Sequence, residues 1–441
     1  MNILLIQPRM GHGPVTEEDR GTLRAKLFTN PSLTLPAVAA CIPKEHTVTL
    51  LDEHNEDIDF SRKYDLVGIS CFTMFAMRAY EIADEFRKQG TPVVLGGYHP
   101  TALPKEAKQH ADSVVIGEAE LTLPCLLDDV EQGKLKPYYR TKAWVKPEDI
   151  APLRRDLVQY RPLTDGLFAT RGCPRHCDFC SITCFFNHTY RCRPIENVIE
   201  ELKSISSKFV LLHDANLTID IDYSKALFKA MIRERLNKRW LANGNIYTLG
   251  NDVEFLRLAR EAGCISWTIG IESVSQQSLN GVKKFDNKVE HYEQWIKNIH
   301  KNGMTITGLF MFGFDEDTPD IFDKTLEALY KWEIDRAEFS ILTPLPGTPV
   351  YDKMEKEGRL LTKDWSQYTQ TKVVFQPKNM TPEELYEGTR RVAREFYKPW
   401  NIIKRSANLM KVSLNPSTML FMPLADLSMR AWYKRDYSFE D

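Results

Sequence analysis

The stretch Thr170-Arg171-Gly172-Cys173-Pro174-Arg175-His176-Cys177-Asp178-Phe179-Cys180 decides how the rest of this chain is read. Three thiols separated by three and then two residues can wrap one cubic iron–sulfur cluster from a single loop. The fourth corner iron then has no protein ligand, and an open iron can chelate a small molecule. A zinc site ordinarily pairs two Cys-x2-Cys knuckles, and no second knuckle exists here. Nine cysteines are present, and Cys173, Cys177, Cys180, Cys184 and Cys192 are bunched together. An odd, clustered set is unlike the evenly spread framework of a secreted disulfide domain, so a metal centre in a reducing cytoplasm is expected. Cys184 and Cys192 fall outside the spacing and are expected to be ordinary half-buried thiols.

Working outward, the loop follows a short apolar run, Leu167–Thr170, that opens an alternating series. Further strand candidates are Phe209–Leu212, Trp240–Asn243, Ser266–Ile271, Thr305–Met311 and Ala337–Leu342. Helices are expected between them, among them Val253–Ala262 with Gly263 behind it, and one opened by Thr318-Pro319. Six strand–helix units predict a partial (β/α)6 barrel of the TIM type, whose active site lies at the carboxyl end of the strands.

Upstream, Ile3–Ile6, Thr47–Leu51, Leu66–Ser70, Val93–Leu95 and Val114–Ile116 are short, aliphatic and bounded by Gly, Pro or Asp. Arg78–Gln89 reads as a helix with Ala79, Ile82, Ala83 and Phe86 on one face and Gly90 as its stop. This pattern predicts an α/β domain with a doubly wound parallel sheet, Rossmann- or flavodoxin-like, which binds ligands beyond the carboxyl ends of its strands. The loops there are Ser70-Cys71-Phe72-Thr73, Gly96-Gly97-Tyr98-His99-Pro100-Thr101 and Gly117-Glu118-Ala119-Glu120. Paired glycines after a strand let a ligand approach the backbone closely. Asp52–Asp57 reads as a solvated acidic loop.

Residues from about 125 to 165 hold Lys136-Pro137, Lys146-Pro147, Ala151-Pro152 and Arg161-Pro162, and are expected to connect the two parts with little regular structure. Thr381-Pro382-Glu383-Glu384 is a capping box for a helix reaching about Tyr397. Beyond it, Trp400, Met410, Met419, Phe421, Met422, Met429 and Trp432 are expected to pack on the barrel or to form an apolar lid. The divisions expected are 1–135, 136–165 as connector, 166–350 as barrel and 351–441 as a mostly helical extension.

The 441 residues are 43% hydrophobic and 27% charged, enough for more than one core. The 58 basic and 60 acidic residues nearly cancel, which argues against nucleic acid as the main partner. No apolar run reaches membrane-spanning length, and the first run, ending at Pro8, reads as a strand and not as a signal peptide. A cytoplasmic chain with no integral membrane segment is expected.

The Cys-x3-Cys-x2-Cys spacing, with aromatic Phe179 before the last cysteine, resembles the radical S-adenosylmethionine superfamily. Arg191-Cys192-Arg193-Pro194-Ile195-Glu196, Gly270-Ile271-Glu272-Ser273 and Pro344-Leu345-Pro346-Gly347-Thr348-Pro349 resemble segments of its branch with an N-terminal cobalamin-binding-type domain. So do Gly96-Gly97…His99-Pro100-Thr101 and Gly117-Glu118-x-Glu120, and the likeness runs over roughly residues 1 to 400. Two departures are visible. Asp214 is followed by Ala215 where the branch often has two aspartates, and Ala119 stands where glycine is common.

The resemblance implies that Cys173, Cys177 and Cys180 hold a [4Fe-4S] cluster whose open iron binds S-adenosylmethionine. It puts Phe179, Glu272, Ser273 and Gly308 along that cofactor, and Ser70, Thr73, Gly96, Gly97, His99, Gly117 and Glu118 around cobalamin. Reductive cleavage would then give a 5′-deoxyadenosyl radical that abstracts hydrogen from an unactivated carbon. The simplest outcome is C-methylation of a small or lipid-like metabolite, with flavodoxin or ferredoxin as electron donor. Cyclisation, rearrangement or C–C coupling is the alternative, and a non-catalytic cluster- or cobalamin-binding sensor ranks below both.

Overall fold

Near-continuous apolar runs such as Ile3-Leu4-Leu5-Ile6 suit strands buried on both faces, and such strands pair in parallel. In the computed structural model, which describes residues 1–10, 32–159, 163–413 and 416–437, they do so. Strands β1 (Asn2–Gln7), β2 (Thr47–Asp52), β3 (Leu66–Ser70), β4 (Val93–Gly96), β5 (Ser113–Ile116) and β6 (Tyr138–Arg140) form one parallel sheet in the order β2-β1-β3-β4-β5-β6. Helices Thr34–Ala40 and Leu123–Glu131 cover one face, through Leu35, Ala39, Leu126 and Leu127. Helices Ala76–Lys88 and Pro104–His110 cover the other, through Ile82, Ala83, Phe86 and Ala107. Because β1 lies between β2 and β3, the winding reverses there, which opens a crevice at the carboxyl ends of the strands.

The expected connector is more regular than its prolines suggest. It holds the Leu123–Glu131 helix, β6, short 3-10 turns at Pro147–Asp149 and Arg155–Leu157, and the start of the second sheet. Pro137 and Pro147 punctuate these pieces without entering a strand. Tyr139 pins β6: its hydroxyl donates to Asp129 at 2.6 Å and accepts from the Lys136 amide at 3.1 Å. The Arg161-Pro162 part of that expectation lies outside the described residues.

The second sheet is also fully parallel, in the order β14-β13-β12-β11-β10-β7. Its strands are β7 (Thr164–Leu167), β10 (Phe209–Leu212), β11 (Arg239–Gly244), β12 (Cys264–Glu272), β13 (Thr305–Phe312) and β14 (Arg336–Ile341). Helices between them bury their apolar stripes against its outer face in one large core. The first strand thus ends at Leu167, earlier than expected. Thr170–Gly172 is a separate strand, β8, paired antiparallel with β9 (Tyr190–Cys192). Gly172 ends β8 at φ +83°, where a Cβ would sit 2.2 Å from the Thr189 carbonyl. The Thr318-Pro319 helix begins late, at Ile321, because Thr318 bonds the Asp320 side chain and its carbonyl accepts the Ile321 amide at 2.9 Å.

After β14 the chain crosses back to the front domain. Tyr351, Trp365, Tyr368 and Val374 join the core beneath helix Ala76–Lys88. The capping box at Thr381 and Glu384 forms in full and opens helix Pro382–Phe396. Helices Pro399–Val412 and Pro416–Asp436 follow. Tyr433 and Tyr397 satisfy the exposed edge of β14: the Tyr433 hydroxyl accepts from Phe339 N at 2.6 Å and donates to Phe339 O at 3.2 Å, and Tyr397 donates to Ala337 O at 2.6 Å. Of the tail residues expected to pack, Met422 is buried, but Trp400 and Met410 face solvent. The Phe421 side chain lies outside the described residues.

Candidate active site between the two sheets

The β8/β9 pair closes a loop that carries all three cysteines. Register Thr170↔Cys192, Arg171↔Arg191 and Gly172↔Tyr190 staples its base. Backbone bonds from Asp178 N to Val282 O and from Val350 N to Asp178 O, both 3.2 Å, tie its tip to the barrel. Asp214, fully buried after β10, accepts from Thr170 Oγ1 at 2.6 Å and from the Thr170 amide, and burial pushes its carboxyl up to about 6. Asp214 therefore anchors the loop, while its neighbours His213 and Ala215 line the cavity described below.

Cys173 and Cys177 are buried, Cys180 is half-buried, and none is in a disulfide. Burial raises the Cys173 thiol and pushes Cys177 up to about 11, against the pull of Lys284. Lys284 was not singled out from the sequence, and no spacing signal marks it. Its side chain, mostly buried, pairs through the ammonium with Glu272 and lies 6.0 Å from the Phe179 ring centre. Burial opposes its charge, yet Glu272 and Cys177 hold its pKa above the ordinary lysine value.

Glu272 ends β12 at φ +63°, a left-handed conformation costly for a non-glycine residue and common at functional sites. Asn287 and Tyr292 brace this bend, donating to Ile271 O at 3.1 and 3.2 Å. A Cβ at Gly270 would fall 2.3 Å from Glu272 Oε1 and 2.6 Å from Lys284 Nζ, so the glycine makes room for the pair. Ser273 follows, buried, its hydroxyl accepting from Ser275 N at 3.1 Å. Gly308 is different: the space of its missing side chain is taken by the Phe310 ring at 2.9 Å, so this glycine serves packing.

A cavity of about 300 Å³ runs from this loop into the front domain. Ser70, Gly96, Gly97, Gly117 and Glu118 line its mouth, and Thr170, Arg171 and Gly172 border it from the barrel side. Its floor is the sheet face under helices Thr34–Ala40 and Leu123–Glu131, including Leu5, Gly68 and Val94. Gly97 sits at φ +95° with the position of a Cβ 2.9 Å from Cys71 O, while Gly117, at φ +87°, has open space there. Thr101, not predicted as a site residue, orients that turn by accepting from Gly117 N at 3.0 Å.

Two residues expected at this site are elsewhere. His99 is fully buried on the opposite face, 3.3 Å from Thr73 Oγ1, 3.0 Å from the Tyr80 hydroxyl and 3.2 Å from Glu106, with Trp365 against its ring. Both His99 and Thr73 are thus structural, a histidine satisfied by its core neighbours. Glu118 borders the cavity, but its carboxylate is engaged by Arg171 at 2.9 Å and Arg191 at 2.8 Å, joining the front domain to the β8/β9 pair at the root of the cysteine loop. His54 is exposed in the loop after β2, bonded to Asp52 at 2.9 Å, but that loop is not solvated throughout as expected, because Glu53 is buried and paired with Arg78.

A family model for the radical SAM superfamily matches residues 167–329, one for the B12 binding domain matches 27–127, and a domain of unknown function matches 348–430. Bacteriochlorophyllide d C-12(1)-methyltransferase of Chlorobaculum tepidum is 34% identical over 392 residues, covering 85% of this chain and 84% of that protein. The C-8(2)-methyltransferase of the same organism is 32% identical, covering 84% and 89%. The fold also matches the radical S-adenosylmethionine methyltransferase TsrM from Kitasatospora setae, solved with cobalamin and a [4Fe-4S] cluster, with a TM-score of 0.66 over all of both chains at 16% identity.

This chain belongs to the radical S-adenosylmethionine superfamily, in the branch that places a B12-binding domain ahead of the barrel. It is an enzyme, and its cofactors are a [4Fe-4S] cluster, S-adenosylmethionine and cobalamin. The residues present suit that set: three free thiols on one anchored loop, and beside them a glycine-rimmed cavity with an apolar floor.

Proposed function

We propose that this enzyme methylates an unactivated carbon of a small, largely apolar metabolite. The observation that carries the reading is that Thr170, Arg171 and Gly172 belong at once to the root of the cysteine loop and to the wall of the front-domain cavity. The two half-sites share a border, as transfer between their cofactors requires. The methyltransferase names of relatives that span over four-fifths of the chain support it.

When bound, the cluster with S-adenosylmethionine supplies hydrogen abstraction, and cobalamin supplies a methyl group. The chain itself holds and orients. Cys173, Cys177 and Cys180 would ligate the cluster. Phe179, Glu272, Ser273 and Lys284 would fix the charged and ribose parts of S-adenosylmethionine, and Ser70, Gly96, Gly97 and Gly117 would border the corrin. The acceptor would occupy a second cavity of about 260 Å³ inside the barrel, where Leu211, Leu241 and Met429 are apolar and Asn243, Thr268 and Ser428 polar. His213 borders both cavities. Arg336 and Glu338 also line it, so the acceptor it suits has an apolar body with polar or charged substituents, as a tetrapyrrole does, and a flavodoxin or ferredoxin would supply electrons.

The test is anaerobic reconstitution, reduction and incubation with methyl-deuterated S-adenosylmethionine, hydroxocobalamin and a panel of tetrapyrrole and terpenoid acceptors. Expected are 5′-deoxyadenosine and a deuteromethylated product, both lost when Cys173, Cys177 and Cys180 become alanine. Deoxyadenosine with a converted but unlabelled acceptor would sink methyl transfer. It would favour cyclisation, a reading supported by the anaerobic magnesium-protoporphyrin IX monomethyl ester cyclase of Cereibacter sphaeroides, 25% identical over 69% of this chain.

A further inference from the structure

Helix Pro399–Val412 turns one face inward and leaves the other bare. Ile402 and Leu409 are buried, and Arg405 between them stacks 3.8 Å over the Phe396 ring and pairs with Asp426 at 2.7 Å. The inner face is thereby satisfied. On the outer face Trp400 is 72% exposed, Ile403 58% and Met410 57%, with Ala407 exposed between them. Positions 400, 403, 407 and 410 form one stripe along an α-helix. The following helix adds exposed Leu424 and Leu427.

Single exposed apolar side chains are ordinary, but a stripe with tryptophan at one end is not. Its flanks are cationic. Lys404 and Lys411 are exposed with no ion pair among the described residues, and residues 399–412 contain no Asp or Glu; Lys398, just before the helix, is paired with Glu395 at 2.8 Å. Apolar stripe, interfacial tryptophan and lysine borders are the make-up of a helix that lies in a lipid–water interface. Self-association fits less well, because a two-fold contact through this face would bring the lysines of both copies together. No helix among the described residues is long and apolar enough to cross a membrane, so surface docking is the geometry available.

We propose that helix Pro399–Val412 docks the enzyme on an anionic lipid surface. This stands apart from the choice of reaction, since the helix contributes no residue to either cavity.

The test is flotation of the cofactor-loaded full chain with phosphatidylcholine vesicles, with and without phosphatidylglycerol. The protein should float with the anionic vesicles, less with neutral ones, and be released by salt. A Trp400→Ser, Ile403→Ser, Met410→Ser variant and a Lys404→Glu, Lys411→Glu variant should each bind about tenfold more weakly. Both should keep the parent circular dichroism and deoxyadenosine formation. No flotation of the parent with either vesicle, or equal flotation of parent and folded variants, would overturn the proposal. So would a lipid-free dimer that the Trp400→Ser change dissolves, which would assign the face to a second copy.

Discussion

At the level of single residues, the bend that ends β12 carries a buried ion pair. Glu272 is neutralised by Lys284, and a lone buried carboxylate costs several kcal/mol. Lys284→Met is therefore expected to lower the unfolding free energy by about 3 kcal/mol in denaturant titrations and to depress deoxyadenosine formation. Gly270→Ala should impair the same site without removing a charge, because the added methyl group falls on the pair. Asp214 offers a pH signature. Its folded pKa, about 6, lies above the ordinary aspartate value, so the folded state holds the proton more tightly than the unfolded state. Its contribution is greatest below about pH 4 and fades as pH rises through 6. Between pH 5 and 7 it should remove about 1 kcal/mol of stability. Asp214→Asn should flatten that part of the profile, and an unchanged slope would refute the assignment.

Among the elements, the edge of β14 shows how a partial barrel ends without a further strand. A side chain takes up backbone groups that another strand would pair, and Tyr433→Phe is expected to cost about 1–3 kcal/mol because Phe339 N–H is left buried and unpaired. Thermal or denaturant unfolding would measure it. Five strands of each sheet were legible from short aliphatic runs bounded by Gly, Pro and Asp, since burial on both faces leaves little other choice of residue; β6, with its Tyr-Tyr-Arg sequence, was missed, and β7 was expected three residues late. The Cys-x3-Cys-x2-Cys loop was legible for the same reason that it works: one loop has to present every thiol. What was not legible depends on contacts distant in sequence. β8 is an isolated three-residue strand because Tyr190–Cys192 comes back to it, and Lys284 matters because the bend at Glu272 points a carboxylate at it. The resemblance implied His99 as a cobalamin contact, but Tyr80, Glu106 and Trp365 enclose it from three other segments.

Across the whole molecule, the front domain and the barrel share structure at several levels. Arg171 and Arg191 hold Glu118, Tyr98 donates to Pro346 O at 2.7 Å, and Trp365 donates to Glu106 at 2.8 Å. Trp365→Ala should lower stability by about 3–5 kcal/mol, as expected for truncating a buried aromatic residue, and loss should be seen in front-domain signals such as His99 exchange. That same sharing bears on how the protein is made. The N-terminal sheet leaves the ribosome long before Tyr351, Trp365, Tyr368 and Val374, which complete its core. At a translation rate of about 5–20 residues per second, the nascent sheet and its own helices wait more than ten seconds for these residues to complete the core beneath helix Ala76–Lys88. The front domain is therefore expected to reach its full stability only once the barrel that precedes these residues has been made.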